Sequence, residues 1–383
     1  MVQVLRPTTA QELATALRDA ASHGEPFTLE GAGSKRRMGG RPTAGRVSIE
    51  MSAMGRLLQY DPRDLTISVE AGMPWARFVE ITAEQGQMAP LDPPLAGQAT
   101  VGGVVAANCT GARRRLYGAV RDQVIGMQCA TLEGEVVDSG GMVVKNVAGY
   151  DLQKLMIGSF GTLAAIASVN FKLAPKPEGS SSFALAYDSL EDVLGARNEI
   201  LSGALQPAAV DFLNPAAAAG MGLVEAHVLL VRAGGSARVL ERYARDLPGA
   251  SRLEGAAEED LWTKVADFAP AMVKAWPQAV VVKASFPLQA LGRVMQAADG
   301  PAVARAANGV AWLGFEDAER AAGAFGALRG AGAAVVVEWA GDEAPEGMER
   351  WPEPGAALEV MRDLKRLFDP DGLMNRGRLH GRI

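Results

Sequence analysis

PLDPPLAGQATVGGVVAANCTGARRRLYG, residues Pro90 to Gly118, decides how this chain is read. It is too rich in proline and glycine for a regular element, yet too apolar for a solvated linker. Such backbone persists where it must pack closely against something flat or bulky. Gly102 and Gly103 permit close approach to a ring, and Thr100 offers a hydrogen bond. The plainer alternative is a glycine bend in a buried hairpin.

Upstream, a short strand at Phe27–Glu30 feeds into EGAGSKRRMGG, Glu30 to Gly40. This loop looks built for phosphate but fits neither familiar fingerprint. The dinucleotide pattern requires a third glycine where Arg36 stands, and the P-loop pattern requires a Gly-Lys-Ser/Thr ending where the order is Ser34-Lys35-Arg36. Small residues after a strand still let successive N–H groups converge on an anion, with Ser34 adding a hydroxyl and Lys35 a charge. Taken alone, the stretch reads more simply as a tight surface turn rich in glycine.

The rest of the first half supplies ordinary elements. Thr9 and Glu12 read as a capping box, Leu13, Leu17, Ala20 and Ala21 as an apolar stripe, and Gly24 as the stop of a first helix. Strands follow at Val47–Glu50 and Leu65–Val69. Pro74 opens a helix to about Gln85. A hairpin joins Val124–Leu132 to Glu135–Asp138 through Glu133-Gly134, and Ser159–Leu173 is a glycine turn and a strand. APKPEGSS, Ala174 to Ser181, is the clearest linker signal.

Beyond it alanine dominates and the glycine clusters thin. Strand-like runs lie at Phe183–Tyr187, Ala209–Leu213, His227–Val231, Ala279–Phe286, Val310–Phe315 and Ala334–Trp339. Helix-like runs lie at 190–201, 237–247, 288–298 and 316–328. From Ala279 to Trp339 the order approximates β-α-β-β-α-β, the ferredoxin-like order, and the part from Phe183 approximates it again, as a degenerate duplication would. Leu358, Met361, Leu364 and Phe368 make one face of a closing helix.

The 383 residues exceed one ordinary core and point to two domains. A net charge of -6 argues against a nucleic-acid backbone as partner, and the Arg113-Arg114-Arg115 run reads more simply as a solvated face. The two cysteines, Cys109 and Cys129, and three histidines give no basis for a disulfide framework, a zinc site or an iron–sulfur cluster. Redox chemistry here would need a borrowed organic cofactor. The N-terminus turns polar too soon for a secretory segment, and no apolar run is long enough to span a bilayer, so a cytoplasmic protein is expected.

Taken together and in order, EGAGSK, PPLAGQATVGGVVAANCTG, LYGAVRDQVIGMQCATLEGEVVDSGG and KNVAGYDLQKLMIGSFGTLAAIASVNFKL resemble the FAD-binding superfamily of vanillyl-alcohol oxidase and p-cresol methylhydroxylase (PCMH). The tail FDPDGLMNRGR is similar to that family's closing motif. Within the superfamily, GGMVVKNVAGYDLQKLM looks most like the smaller FAD-binding E subunit of glycolate oxidase. The resemblance implies an α+β fold: a two-subdomain PCMH-type FAD-binding domain over residues 1–175, an antiparallel-sheet, ferredoxin-like cap over 176–345, and a helix and tail over 346–383 that return to the first domain.

It also implies which residues hold FAD. Gly31, Ala32, Gly33, Ser34 and Lys35 would cradle the pyrophosphate, with Ala32 a mild departure from the family's usual Gly-Gly-Gly. Pro94, Ala99, Thr100, Gly102 and Gly103 would line the flavin and ribityl region, with Ala107 and Gly111 near them. Tyr117 and Gly118 would continue that wall, and Ala165 and Ile166 would sit on the strand whose backbone meets the adenine side. No histidine lies in an attachment motif, so FAD is expected to be non-covalent.

The function implied is that of an FAD-binding subunit of a glycolate (2-hydroxy-acid) oxidising complex, relaying electrons beside a larger flavin subunit and an iron–sulfur subunit. Such a complex would place the chain in the cytoplasm, peripheral to a membrane through its partners. Two alternatives stay open: a free-standing 2-hydroxy-acid dehydrogenase, and a non-catalytic assembly subunit. No catalytic residue is assigned. His227 sits in an apolar strand, Lys283 in the run VVVKASF, and Arg378 and His380 in the tail.

Overall fold

The computed structural model describes residues 2–143, 150–345, 347–352 and 354–380. Part of the quoted KNVAGYDLQKLM motif, residues 145–149, lies outside them. Two compact units emerge: one of Met1–Thr110, Gly118–Lys176 and Glu353–Ile383, the other of Gly111–Tyr117 and Pro177–Pro352.

The first unit is built around the helix Ala10–Ser22. Thr9 caps it, its hydroxyl accepting from the Glu12 N–H at 3.1 Å. The reciprocal half of the expected capping box goes elsewhere: Glu12 accepts from the N–H and hydroxyl of Thr8 at 2.8 and 2.7 Å. Gly24 ends the helix at φ +65°. Leu13, Leu17 and Ala20 are buried as the stripe requires, whereas Ala21 is only half-buried.

Two sheets meet this helix. Strands β1 (Gln3–Leu5), β2 (Thr28–Glu30) and β3 (Val47–Glu50) form a small parallel sheet in the order β1-β3-β2. Strands β4 (Leu57–Asp61), β5 (Thr66–Glu70), β7 (Val124–Ala130), β8 (Val136–Gly140) and β9 (Ala165–Lys172) form an antiparallel sheet in the order β4-β5-β9-β7-β8. The short β6 (Gln87–Met88) pairs with β10 (Ala174–Pro175), so the proline-rich stretch read as a linker begins with a strand. One apolar cluster joins these layers: Leu13 and Leu17 from the helix, Ile49 from β3, Ala165 and Ala167 from β9, and Leu373 and Met374 from the tail. Burying the last two contributes about 1.5–3 kcal/mol each.

The tail is fixed by polar contacts as well. Lys365, on the helix Ala357–Phe368, is 6% exposed and Asp369 1%. Lys365 Nζ donates to Asp369 Oδ2 at 2.6 Å and to the Thr162 carbonyl at 2.7 Å. Asp369 also accepts from the N–H groups of Leu373 and Met374, at 2.9 and 2.8 Å. Burial pulls the lysine below its ordinary pKa, and the Asp369 carboxylate opposes that pull. The expected stripe Leu358, Met361, Leu364 and Phe368 is only half-buried.

The second unit contains one eight-stranded antiparallel sheet. Its strands are β11 (Gly179–Tyr187), β12 (Ala209–Leu213), β13 (His227–Gly235), β14 (Ser251–Leu253), β15 (Val280–Ser285), β16 (Ala302–Arg305), β17 (Val310–Phe315) and β18 (Ala334–Ala340), in the order β14-β11-β13-β12-β16-β17-β15-β18. Each half follows a β-α-β-β-α-β order, spatially 4-1-3-2 and then its mirror 2-3-1-4, with a short extra helix, Pro215–Gly220, between the second and third strands of the first half. The duplication is thus present, and the halves join edge to edge through their second strands, with Asp211 opposite Arg305. β16 and β14 carried no strand signal of their own in the sequence, being short and flanked by charged or turn residues.

Asp369→Asn removes one partner of the buried ion pair and is expected to cost about 3–5 kcal/mol. The urea midpoint of the first unit should fall accordingly; an unchanged midpoint would show that the pair does not hold the tail.

Candidate cofactor site

The loop after β2 and the segment Pro94–Ala107 come together in the first unit. Thr100 caps the helix Val101–Ala106, its hydroxyl accepting from the Gly103 N–H at 3.3 Å. That same hydroxyl faces Gly31: a Cβ built on Gly31 would lie 2.1 Å from Thr100 Oγ1. A side chain there would force Thr100 or the loop to move. Gly33 is required for a different reason, its φ of +71°. Ala32 is exposed, so its methyl departs from the Gly-Gly-Gly pattern without steric consequence.

The main-chain N–H groups of Gly31, Ala32, Gly33 and Ser34 donate to no group among the described residues. Four successive amides without an internal acceptor, beside a buried lysine, fit the pyrophosphate of a dinucleotide. Lys35 is 8% exposed, and its ammonium donates to Ser34 Oγ at 3.4 Å and to the Pro94 carbonyl, which ties the loop to the start of the second segment. Arg36 pairs with Glu30 through both nitrogens, Nε to Oε2 at 2.8 Å, and closes the loop from outside. This pairing raises the arginine pKa.

Not every residue named from the sequence contributes in the same way. Gly102 presses on the preceding strand: its N–H donates to the Ala71 carbonyl at 2.7 Å, and a Cβ would sit 2.7 Å from that of Ala71. The Val101 N–H is likewise taken by Met73, at 2.9 Å. The glycine-rich segment read as too irregular for a helix therefore contains one, because its glycines allow close packing on Ala71. Ala99 is buried and its carbonyl accepts from the Trp75 N–H at 2.8 Å. Ala107 closes the short helix, and Gly118 turns at φ +84° against Asp122. Ala165 and Ile166 lie on β9, paired with Ala130 and Cys129 of β7. The side chain of Ala165 belongs to the apolar cluster. Gly111 and Tyr117 belong to the second unit.

Both cysteines are buried. Burial, with the Asp138 charge adding to it, pushes the Cys129 thiol up to about 12, so it remains protonated where a free thiol would ionise. His227 is half-buried against Phe212, ring centroids 5.7 Å apart. Lys283 bonds Glu338 at 2.7 Å and lies over the Trp312 ring at 5.8 Å. Among the described residues no cluster of His, Cys, Asp and Glu is placed to hold a metal ion. Sequence reasoning missed Asn375, which joins the tail to β2. Its only sequence signal is its place in the closing motif MNRGR.

Gly31→Ala should displace the loop from Thr100, at a cost of about 1–3 kcal/mol, and weaken FAD uptake by roughly tenfold. Ala32→Gly should leave affinity within about twofold. Fluorescence titration of the apoprotein with FAD checks both; equal effects would contradict the geometry.

The family model of the FAD binding domain matches residues 2–140, and that of the C-terminal domain of FAD linked oxidases matches residues 350–379. Glycolate oxidase subunit GlcE of Escherichia coli is 37% identical over 199 residues, 52% of this chain and 55% of that protein. Glycolate oxidase subunit GlcD of Bacillus subtilis is 30% identical over 211 residues, 55% of this chain and 45% of that protein. The matches thus span about half the length of these two relatives. An uncharacterized FAD-linked oxidoreductase of Mycobacterium tuberculosis is 27% identical across 98% of this chain and 90% of its own length. A solved structure of alkyldihydroxyacetonephosphate synthase superposes with a TM-score of 0.73 at 17% identity, covering 97% of this chain and 75% of that one, and so shares the fold. The chain accordingly carries the FAD binding domain followed by the closing C-terminal element of the FAD linked oxidases, and its cofactor is FAD.

Proposed function

We propose that this chain is an FAD-linked oxidoreductase subunit that serves the oxidation of a small 2-hydroxy acid, glycolate or D-lactate. In this reading it works beside a larger flavin subunit and an iron–sulfur subunit. The observation that carries the cofactor half is the run of unpartnered amides from Gly31 to Ser34 packed against Thr100. The substrate half rests on the relatives named above, together with a D-lactate dehydrogenase of Anaerostipes hadrus that is 32% identical over 55% of this chain and 44% of that protein.

Gly31, Ala32, Gly33 and Ser34 hold the pyrophosphate through their N–H groups, and Lys35 adds positive charge while bridging to Pro94. Ala99, Thr100 and Gly103, with Ala107 and Gly118 beyond, shape the flavin side of the site. The backbone of Ala165 and Ile166 serves the adenine side. When bound, FAD would supply a two-electron redox centre able to relay onward the electrons released as a 2-hydroxy acid becomes a 2-oxo acid. Because Cys129 is protonated and Cys109 buried, we infer that FAD is held without a covalent bond.

A supporting role in the complex is favoured over independent catalysis by the charges on the second unit's sheet. Arg305 pairs with Asp211, Lys283 with Glu338, and Arg232 with Glu258. Cations neutralised in this way are poorly available for a substrate carboxylate. Among the described residues no helix is long and apolar enough to cross a membrane. Attachment to a membrane through partners accords with this reading.

Purified chain should be yellow, with colour that passes a filter as free FAD after denaturation. Glycolate or D-lactate should bleach it little without partners. Colour retained on the polypeptide would overturn non-covalent binding, and full bleaching by the chain alone would establish a free-standing dehydrogenase.

A further inference from the structure

The tail presents two side chains, three residues apart, to the two ends of the phosphate loop. Asn375 grips the entry. Its Oδ1 accepts from the Leu29 N–H at 2.8 Å, and its Nδ2 donates to the carbonyls of Leu29 at 2.9 Å and Phe160 at 2.8 Å. Arg378 grips the exit. Its guanidinium donates to the carbonyls of Lys35 at 3.1 Å, Arg36 at 3.3 Å and Gly40 at 3.1 Å. It also lies over the Phe160 ring at 4.9 Å. Both side chains are buried, and Asn375 and Phe160 adopt left-handed backbone, φ +46° and +52°. For an aromatic residue that conformation costs of order 1–3 kcal/mol, so the surroundings must impose it.

We propose that Asn375 and Arg378 are positioning residues for the FAD loop, and that docking of the tail and binding of FAD are coupled. The inference rests on the reading of Gly31–Ser34 as the pyrophosphate cradle. A loop of small residues is costly to order. With Leu29 fixed at one end and Lys35 and Arg36 at the other, that cost is met before the ligand arrives, and the amides are preorganised. Neither side chain needs to touch FAD. By linkage, a tail that strengthens FAD binding must itself be held more tightly when FAD is bound.

The test uses the full chain. Hydrogen exchange of residues 373–380 is measured with and without FAD, and FAD affinity is measured by fluorescence titration for the wild type, Arg378→Lys and Lys365→Met. Lysine keeps the charge but cannot fork to three carbonyls. Lys365→Met loosens the tail away from the loop and so controls for a merely structural effect. The expected results are slower tail exchange with FAD and an affinity loss of at least about fivefold in Arg378→Lys. That loss should exceed the loss in Lys365→Met when the two are compared at equal fall in melting temperature. Tail exchange indifferent to FAD would overturn the proposal even if Arg378→Lys fails to fold. So would wild-type affinity in a folded Arg378→Lys, or losses in the two variants that simply follow stability. A wild type that takes up no FAD would instead refute the cradle reading itself, and this inference with it.

Discussion

Gly31 lies so close to Thr100 that a methyl in place of its hydrogen would sit 2.1 Å from the hydroxyl oxygen. That closeness joins segments about seventy residues apart in sequence. It brings the strand-to-loop turn after β2 against the start of the helix Val101–Ala106, and Lys35 repeats the join one turn later through the Pro94 carbonyl. Much of what surrounds the loop serves this approach. The helix reaches Thr100 because Gly102 packs on Ala71, and the loop turns because Gly33 tolerates positive φ. Among the described residues its amides meet no acceptor.

Energetically the first unit is closed by its own last residues. Leu373 and Met374 fill the apolar cluster, the Lys365–Asp369 pair anchors the helix before them, and Asn375 binds β2 through both hydrogen-bonding groups of one residue, Leu29. Buried ion pairs contribute little net stability compared with an apolar replacement, but losing one partner is expensive. They therefore specify where the tail docks more than how strongly. The same logic applies in the second unit, where Asp211 and Arg305 face each other across the junction of the two repeated halves.

Local signals were legible where chemistry acts over three or four residues. Thr9, Gly24 and the Leu13–Leu17 stripe announced the first helix. What was not legible depended on distance or exposure. β4 lacks alternation because it is an edge strand with Leu57 and Leu58 both exposed. The helix Val101–Ala106 was hidden by glycines whose value appears only against Ala71. The partners of Asn375 are 346 and 215 residues away, beyond any local pattern. The repeated β-α-β-β-α-β order was visible, but the edge-to-edge join of its halves follows from pairing that no single strand encodes.

The most direct test of the central claim is the amide spectrum of the loop. On adding FAD to apoprotein labelled with ¹⁵N at glycine, alanine, serine and lysine, the N–H resonances of Gly31, Ala32, Gly33 and Ser34 should move as a group to hydrogen-bonded positions, and their solvent exchange should slow. If FAD binds while those four resonances stay in place, the loop is a structural turn and the cofactor is held elsewhere.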